Sequence, residues 1–540
     1  MKKTKVRAIN ESNACAPIRP GATAIAALAV IAASAVLLPG RAFSHDQPVS
    51  GEARPVRNLQ PFLDATGAVA TFNVGGRIDP KNAFFQSLGT NGRSCGTCHV
   101  ANQAFTITPP AIRERFDRSN GRDPLFAPVD GANCSNAQRS DRAAHSLLLK
   151  HGLIRVAQAL PANAQFSISV VHDPYGCALV SDPKTGQLVA SVYRRPLPSS
   201  NLSFLSTVMW DGRETLAPLN SGATFLDNLK SNLTHQAIDA TAGHAEGTST
   251  PTSQQLAEIV NFELGLYTAQ TWDNAAGSLD RHGAHGGPWN LSNQLYYPGI
   301  NDSLGAEPNG LPFSSSSMSA FAAWAAPSSG ANADDDVSAD LRALGVRAVA
   351  RYLRDRTAAR QDIAAGEKLF NTAPLTITAV RGLNDSAALG RPDAIKGTCT
   401  TCHDAPNVGH HSLPLPLDIG VGHTGLPSLE NDPSISASLA EVDAPNLPVF
   451  QISGCASPFN AGQPVSFYTT DPGKGLVTGQ CSDLNRLKGP ILRGLAGRAP
   501  YFHNGAAATL MQAVNFYNQR FQMALTEEQK AQLVAFLNSL

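Results

Sequence analysis

A chain of 540 residues is long enough to bury more than one hydrophobic core. Lys+Arg and Asp+Glu both number 42, charged residues make up 16% and hydrophobic residues 42%. That balance describes a globular protein and excludes the basic field that nucleic-acid binding needs.

In chain order, the first feature is a leader. Lys2, Lys3, Lys5, Arg7 and Arg19 precede the apolar run "ATAIAALAVIAASAVLLPG", and "RAFS" follows. A positive region, an apolar stretch and a small-residue site predict a secretory signal over residues 1–44, cut after Ser44. An uncleaved anchor is the competing reading, since about 18 apolar residues can just span a bilayer. Export predicts an oxidising compartment, periplasmic or outside the cell, and makes the nine cysteines informative.

"SCGTCHV" at 94–100 is the first of two C-x-x-C-H motifs. Between 165 and 197, "FSISVVHDPYGCALV" and "QLVASVYRRPLP" predict two strands about an "SDPKTG" turn. "SQQLAEIVNFELGLYTAQ" places Leu256, Ile259, Val260, Leu264 and Tyr267 on one helical face, with Ser253 as cap. Residues 312–340 are rich in Ser, Ala and Asp and predict an exposed linker, with a boundary near residue 345. "QDIAAGEKLFN" predicts a helix leading to the second motif, "TCTTCHD" at 398–404. "TEEQKAQLVAFLNSL" opens with Thr526 and Gln529 in capping-box register. Outside the leader and the two motifs remain Cys134, Cys177, Cys455 and Cys481. Pairing within each half predicts Cys134–Cys177 and Cys455–Cys481, although spacing alone does not fix connectivity.

The motifs decide the chemistry. A zinc ribbon needs its two Cys-x-x-Cys knuckles close together, and these lie about 300 residues apart. A redox dithiol would sit before a βαβ unit, and neither motif does. Covalent haem accounts for every residue: Cys95 and Cys98, and again Cys399 and Cys402, add to the vinyl groups, while His99 and His403 coordinate iron. The sequence therefore predicts two c-type haems.

With those motifs in place, the chain resembles the bacterial dihaem cytochrome c peroxidases and MauG. "MWDGRE" at 209–214 resembles the family segment whose tryptophan, here Trp210, lies between the haems. "HQAIDATAGHAEG" at 235–247 resembles the segment placing a glutamine and a glutamate, here Gln236 and Glu246, above the first iron. "KGPILRGLAGRAPYFHNGAAATLMQAVNFY" at 488–517 resembles the signature around the second haem. The resemblance implies a mainly α fold of two cytochrome c-like domains, 45–345 and 346–540, each holding one haem c, with a small β insertion in the first. It implies reduction of hydrogen peroxide at the first haem, with electrons from a small redox protein (a cytochrome c or a cupredoxin) entering through the second. In that scheme Glu246 moves the proton, Gln236 orients peroxide, and His235 or His244 is an alternative iron cap. His503 and, as its rival, Tyr517 are the axial ligands expected at the second iron, with Arg493 and Arg498 on the propionates. His410, His411 and His423 are expected at that haem's edge or in solvent.

Departures from the family pattern matter as well. No histidine occurs between His99 and His145 to cap the first iron. About sixteen residues are inserted between Trp210 and Gln236. Relatives carry Ca2+ between the domains, yet no acidic calcium loop is visible here. More distant relatives include the rubber oxygenases, so oxidation of an organic or protein substrate, and plain electron carriage, stay open beside peroxide reduction.

Overall fold

Strand Gly67–Asn73 is buried along almost its whole length because it is the inner strand of a sheet. It pairs antiparallel with Leu266–Asp273, and the short strands Phe62–Leu63 and Gly277–Ser278 flank the pair. The computed structural model describes residues 55–219, 224–305, 307–326, 353–406, 408–409, 415–423, 445–459 and 462–540. The expected leader, the expected boundary near 345, His410 and His411 lie outside these residues.

Helices and sheets are mixed throughout, which corrects the expectation of a mainly α fold. The β content is not confined to one insertion. Strand Ser167–His172 does not join the neighbouring hairpin. It pairs with Val449–Ala456, nearly 300 residues on, which in turn pairs with Pro464–Thr469. The hairpin is Leu179–Ser181 with Leu188–Arg194, and Ile154–Ala159 completes its sheet. Ile168, Phe450, Ile452 and Phe467 pack with Ala190 and Val192 in one core between these sheets. Burying such a side chain contributes about 1.5–3 kcal/mol each. Both disulfides form as expected, Cys134–Cys177 and Cys455–Cys481.

The helices follow their caps. Thr252, one residue before the expected Ser253, accepts from Gln255 N and starts Ser253–Leu264. Gly265 then ends the helix, and Leu266 begins a strand instead of continuing the apolar face. Thr526 and Gln529 form the expected box at the start of Glu527–Asn538. That helix packs on Leu353–Thr372, where a Cβ at Gly366 would lie 2.0 Å from Gln532 O. Only glycine permits this approach. Met318, Phe321 and Trp324 are buried with Phe370 and Phe536. The expectation of an exposed linker therefore fails at 318–324: three large apolar side chains outweigh the polar composition around them. Among the described residues no helix is long and apolar enough to cross a membrane.

Candidate functional site

Each C-x-x-C-H motif forms the same local structure. Cys95–Thr97 and Cys399–Thr401 are single 3-10 turns. The hydroxyl of Thr97 accepts from Ser94 N at 3.0 Å, and that of Thr401 from Thr398 N at 2.9 Å. The turn aims two thiols and an imidazole in one direction. Nδ1 of His99 bonds to Phe105 O at 3.0 Å, and Nδ1 of His403 to Val408 O at 3.2 Å. A carbonyl accepts only from N–H, so each ring presents an unprotonated Nε2, as an iron ligand must. Burial also pushes both imidazoles down to about 4, favouring the neutral form.

Cys95, Cys98 and His99 line one cavity of about 170 Å³; Cys399, Cys402 and His403 line another of about 230 Å³. The four thiols are not in disulfides. Arg195, Trp210 and Lys488 line both cavities and so form the wall between them. Among the described residues, Arg195 donates to carbonyls of His151, Gly152 and Arg498 and to no carboxylate. Nε of Arg498 is buried without a partner. Burial pushes the Lys488 amine down to about 7. A group with an apolar body and peripheral carboxylates would satisfy these cations, and haem c has both. The residues present fit the cofactor.

Trp210 is 8% exposed and donates from Nε1 to Arg195 O at 2.8 Å. Behind it, Arg194 makes a bidentate pair with Asp471 (2.6 and 2.8 Å) and a third bond to Asp211 at 2.5 Å. Burial alone would raise the Asp211 carboxyl, but Arg194 and Arg213 outweigh it and hold it at about 2.

On helix Phe225–Gly243, Gln236 lines the first cavity. Glu246 does not. It is exposed, its carboxylate accepts from Asn91 Nδ2 at 3.0 Å, and its carbonyl from Thr90 at 2.9 Å. The helix ends at Gly243, so Glu246 lies in the segment beyond it. His235 points away as well, onto Glu214 at 2.7 Å. Glu214, His235 and Asp239 bring ligand atoms within 4.8 Å of one another. The imidazole in that group departs from calcium's oxygen-only preference. His244, by contrast, lines the cavity.

At the second cavity, Tyr517 and His403 face each other edge-on with ring centroids 6.4 Å apart. His503 lines the same cavity, but its ring packs against Trp210 and its Nε2 lies 3.9 Å from Asp471. Arg498 lines this cavity, whereas Arg493 donates to Pro406 O at 2.7 and 3.0 Å and does not line it. His423 is 1% exposed and bonds to Asp418 and Tyr468, which corrects any solvent-facing role.

Sequence reasoning missed Glu263. It is 6% exposed, lines the first cavity, and its Oε2 is buried without a hydrogen bond. Burial pushes its carboxyl up to about 8. A polar residue between Phe262 and Leu264 in an amphipathic helix was the available signal.

No family model matches the chain. Cytochrome-c peroxidase IdrP2 of Denitromonas iodatirespirans is 32% identical over 155 residues, 27% of this chain and 36% of that protein. Cytochrome c551 peroxidase of Nitrosomonas europaea is 34% identical over 92 residues, 17% of this chain and 26% of that protein. The chain thus spans about a third and a quarter of these relatives, and both similarities support the bacterial cytochrome c peroxidase superfamily.

Proposed function

We propose that this chain is an exported dihaem peroxidase that reduces hydrogen peroxide to water in the first cavity, with electrons arriving through the second. The observation carrying this reading is the shared wall: two haem-attachment motifs open onto two cavities separated by Trp210, Arg195 and Lys488. When bound, the haems supply the redox-active iron that opens the O–O bond and passes electrons.

The chain's own residues do the rest. Cys95, Cys98, Cys399 and Cys402 anchor the two groups, and His99 and His403 ligate them through Nε2. Gln236 orients peroxide from the helix above the first cavity and stabilises charge as the bond breaks. Trp210 bridges the cavities without a charged group of its own. Arg195, Arg498 and Lys488 hold the propionates. The donor is a small redox protein, a cytochrome c or a cupredoxin.

Of the two residues that would help hold the second haem, Tyr517, edge-on to His403 across the cavity, is better placed than His503, whose ring packs on Trp210. That observation favours the second reading, MauG-like oxidation of an organic or protein substrate, since a phenolate stabilises oxidised iron. The test is peroxide-dependent oxidation of a reduced small cytochrome by the purified two-haem protein. Turnover supports the peroxidase. Consumption of peroxide without oxidation of any small redox protein favours the second reading, and inertness of both irons leaves an electron carrier.

A further inference from the structure

Glu214 ends the segment 209–214 that carries Trp210 and Asp211, and it is only 4% exposed. An ionised carboxylate offers about four lone-pair positions, and burial removes the water that would fill them. Here Oε2 takes a single bond, from Nδ1 of His235 at 2.7 Å. Oε1 takes no hydrogen bond among the described residues. The cation beside it, Arg213, stays 3.9 Å from Oε1 and directs its Nη1 to both oxygens of Asp211, at 3.1 and 3.2 Å. A buried charge is thus left under-satisfied next to an imidazole that is 45% exposed.

The other two donors come from helix Phe225–Gly243. His235 and Asp239 are four residues apart and so share a face. Nδ1 of His235 lies 3.9 Å from Oδ2 of Asp239, a side chain that is 55% exposed and takes no hydrogen bond among the described residues. Gln236 lines the first cavity and His235 does not, because successive helical residues are turned about 100° from each other. One ligand atom each from Glu214, His235 and Asp239 therefore meets the others within 4.8 Å, outside that cavity.

Three ligands held about 2.0–2.2 Å from one tetrahedral ion stand about 3.3–3.6 Å apart. The two spacings to Nδ1, 2.7 and 3.9 Å, bracket that value, so small side-chain movements bring all three onto an ion. The donor set selects the metal. An imidazole nitrogen disfavours calcium and magnesium, and the lack of sulfur disfavours copper(I). One imidazole and two carboxylates, with the exposed side left to water, suit zinc. We propose that Glu214, His235 and Asp239 form a zinc site that pins the segment carrying Trp210 to the helix carrying Gln236. The ion neutralises the buried carboxylate that Arg213 reaches only at long range. Nδ1 of His235 then binds metal in place of a proton, and the ring's remaining proton sits on Nε2. Neither haem takes part, so the site stands or falls independently of the peroxidase reading.

The two-haem protein, stripped of loose metal with a chelator, is the form to use, because its motif thiols are engaged and do not compete for zinc. Calorimetric titration should show one Zn2+ bound per chain, and the thermal-unfolding midpoint should rise with added Zn2+. X-ray absorption at the zinc edge should give nitrogen and oxygen neighbours without sulfur. Asp239→Asn and His235→Gln change half-exposed side chains and leave the core intact. Each should weaken zinc binding by about 10²-fold or more, the upper end of what loss of a merely supporting group costs. Ca2+ at the same concentration should not displace the ion. Zinc affinity unchanged in both variants would put the ion elsewhere and overturn the site, as would sulfur ligation or failure of the wild type to bind. Equal displacement by Ca2+ would reduce the site to a patch of acidic charge, which also overturns it.

Discussion

The indole of Trp210 meets the imidazole of His503 edge-on, with ring centroids 6.1 Å apart, at the wall between the two cavities. Trp210 is fixed from the other side by its bond to Arg195 O. Trp210→Phe keeps most of the packing but removes that bond, at a cost of about 1 kcal/mol. Intramolecular electron transfer after rapid reduction of the second haem should slow, with both haem spectra unchanged. An unchanged rate would place the route elsewhere.

Covalent attachment predicts that two haems survive acid–acetone extraction and appear in the intact mass. Cys95→Ala combined with Cys98→Ala should lose one, and the matching change at Cys399 and Cys402 the other. Extractable haem in the wild type would rule out thioether linkage at that motif.

Tyr517 lies on helix Leu510–Arg520, edge-on to His403. Tyr517→Phe should convert the second haem from low to high spin in the oxidised protein, measured by EPR. His503→Gln should leave it low spin. The reverse pattern returns the ligand role to His503, the first expectation of the family resemblance.

Glu263 makes stability depend on pH. Its folded-state carboxyl titrates at about 8, raised by burial from an ordinary value of 4.5. Between those values the folded chain keeps a proton that the unfolded chain releases. Stability should therefore fall as pH rises from about 4.5 towards 8. Glu263→Gln should flatten that slope, and thermal unfolding at several pH values checks it. An identical slope in the variant would show that the carboxyl is satisfied.

Asp471 and Asp211 share Arg194 in a fully buried cluster that ties Leu188–Arg194 to the C-terminal half. Asp471→Asn leaves part of that charge uncompensated and should cost about 3–5 kcal/mol. Chemical denaturation gives the value. A loss near zero would mean that Asp211 alone balances the guanidinium.

The parts of this protein that the sequence determined are those whose interactions close within a few residues. A C-x-x-C-H turn is built by its own threonine and by the carbonyl five or six residues on, so both haem-attachment motifs are legible from local spacing alone. Thr526 caps its helix for the same reason. Each disulfide closes a modest loop within one half, which made the pairing a natural expectation but not a derived one. What only the tertiary structure decided depends on where a distant partner lies. Strand Ser167–His172 reads like half of a local hairpin, yet its partner is Val449–Ala456. Met318, Phe321 and Trp324 sit in a linker-like composition, and only the neighbouring helices create the core that takes them in. Glu246 matches a family spacing, but its carboxylate is held by Asn91, 155 residues away in the sequence. His244 carries no local sign of its place at the first cavity, because Asp130, which bonds to its ring, is 114 residues away. Side-chain environment is a sum over contacts between segments far apart in the chain, and spacing along one segment cannot encode it.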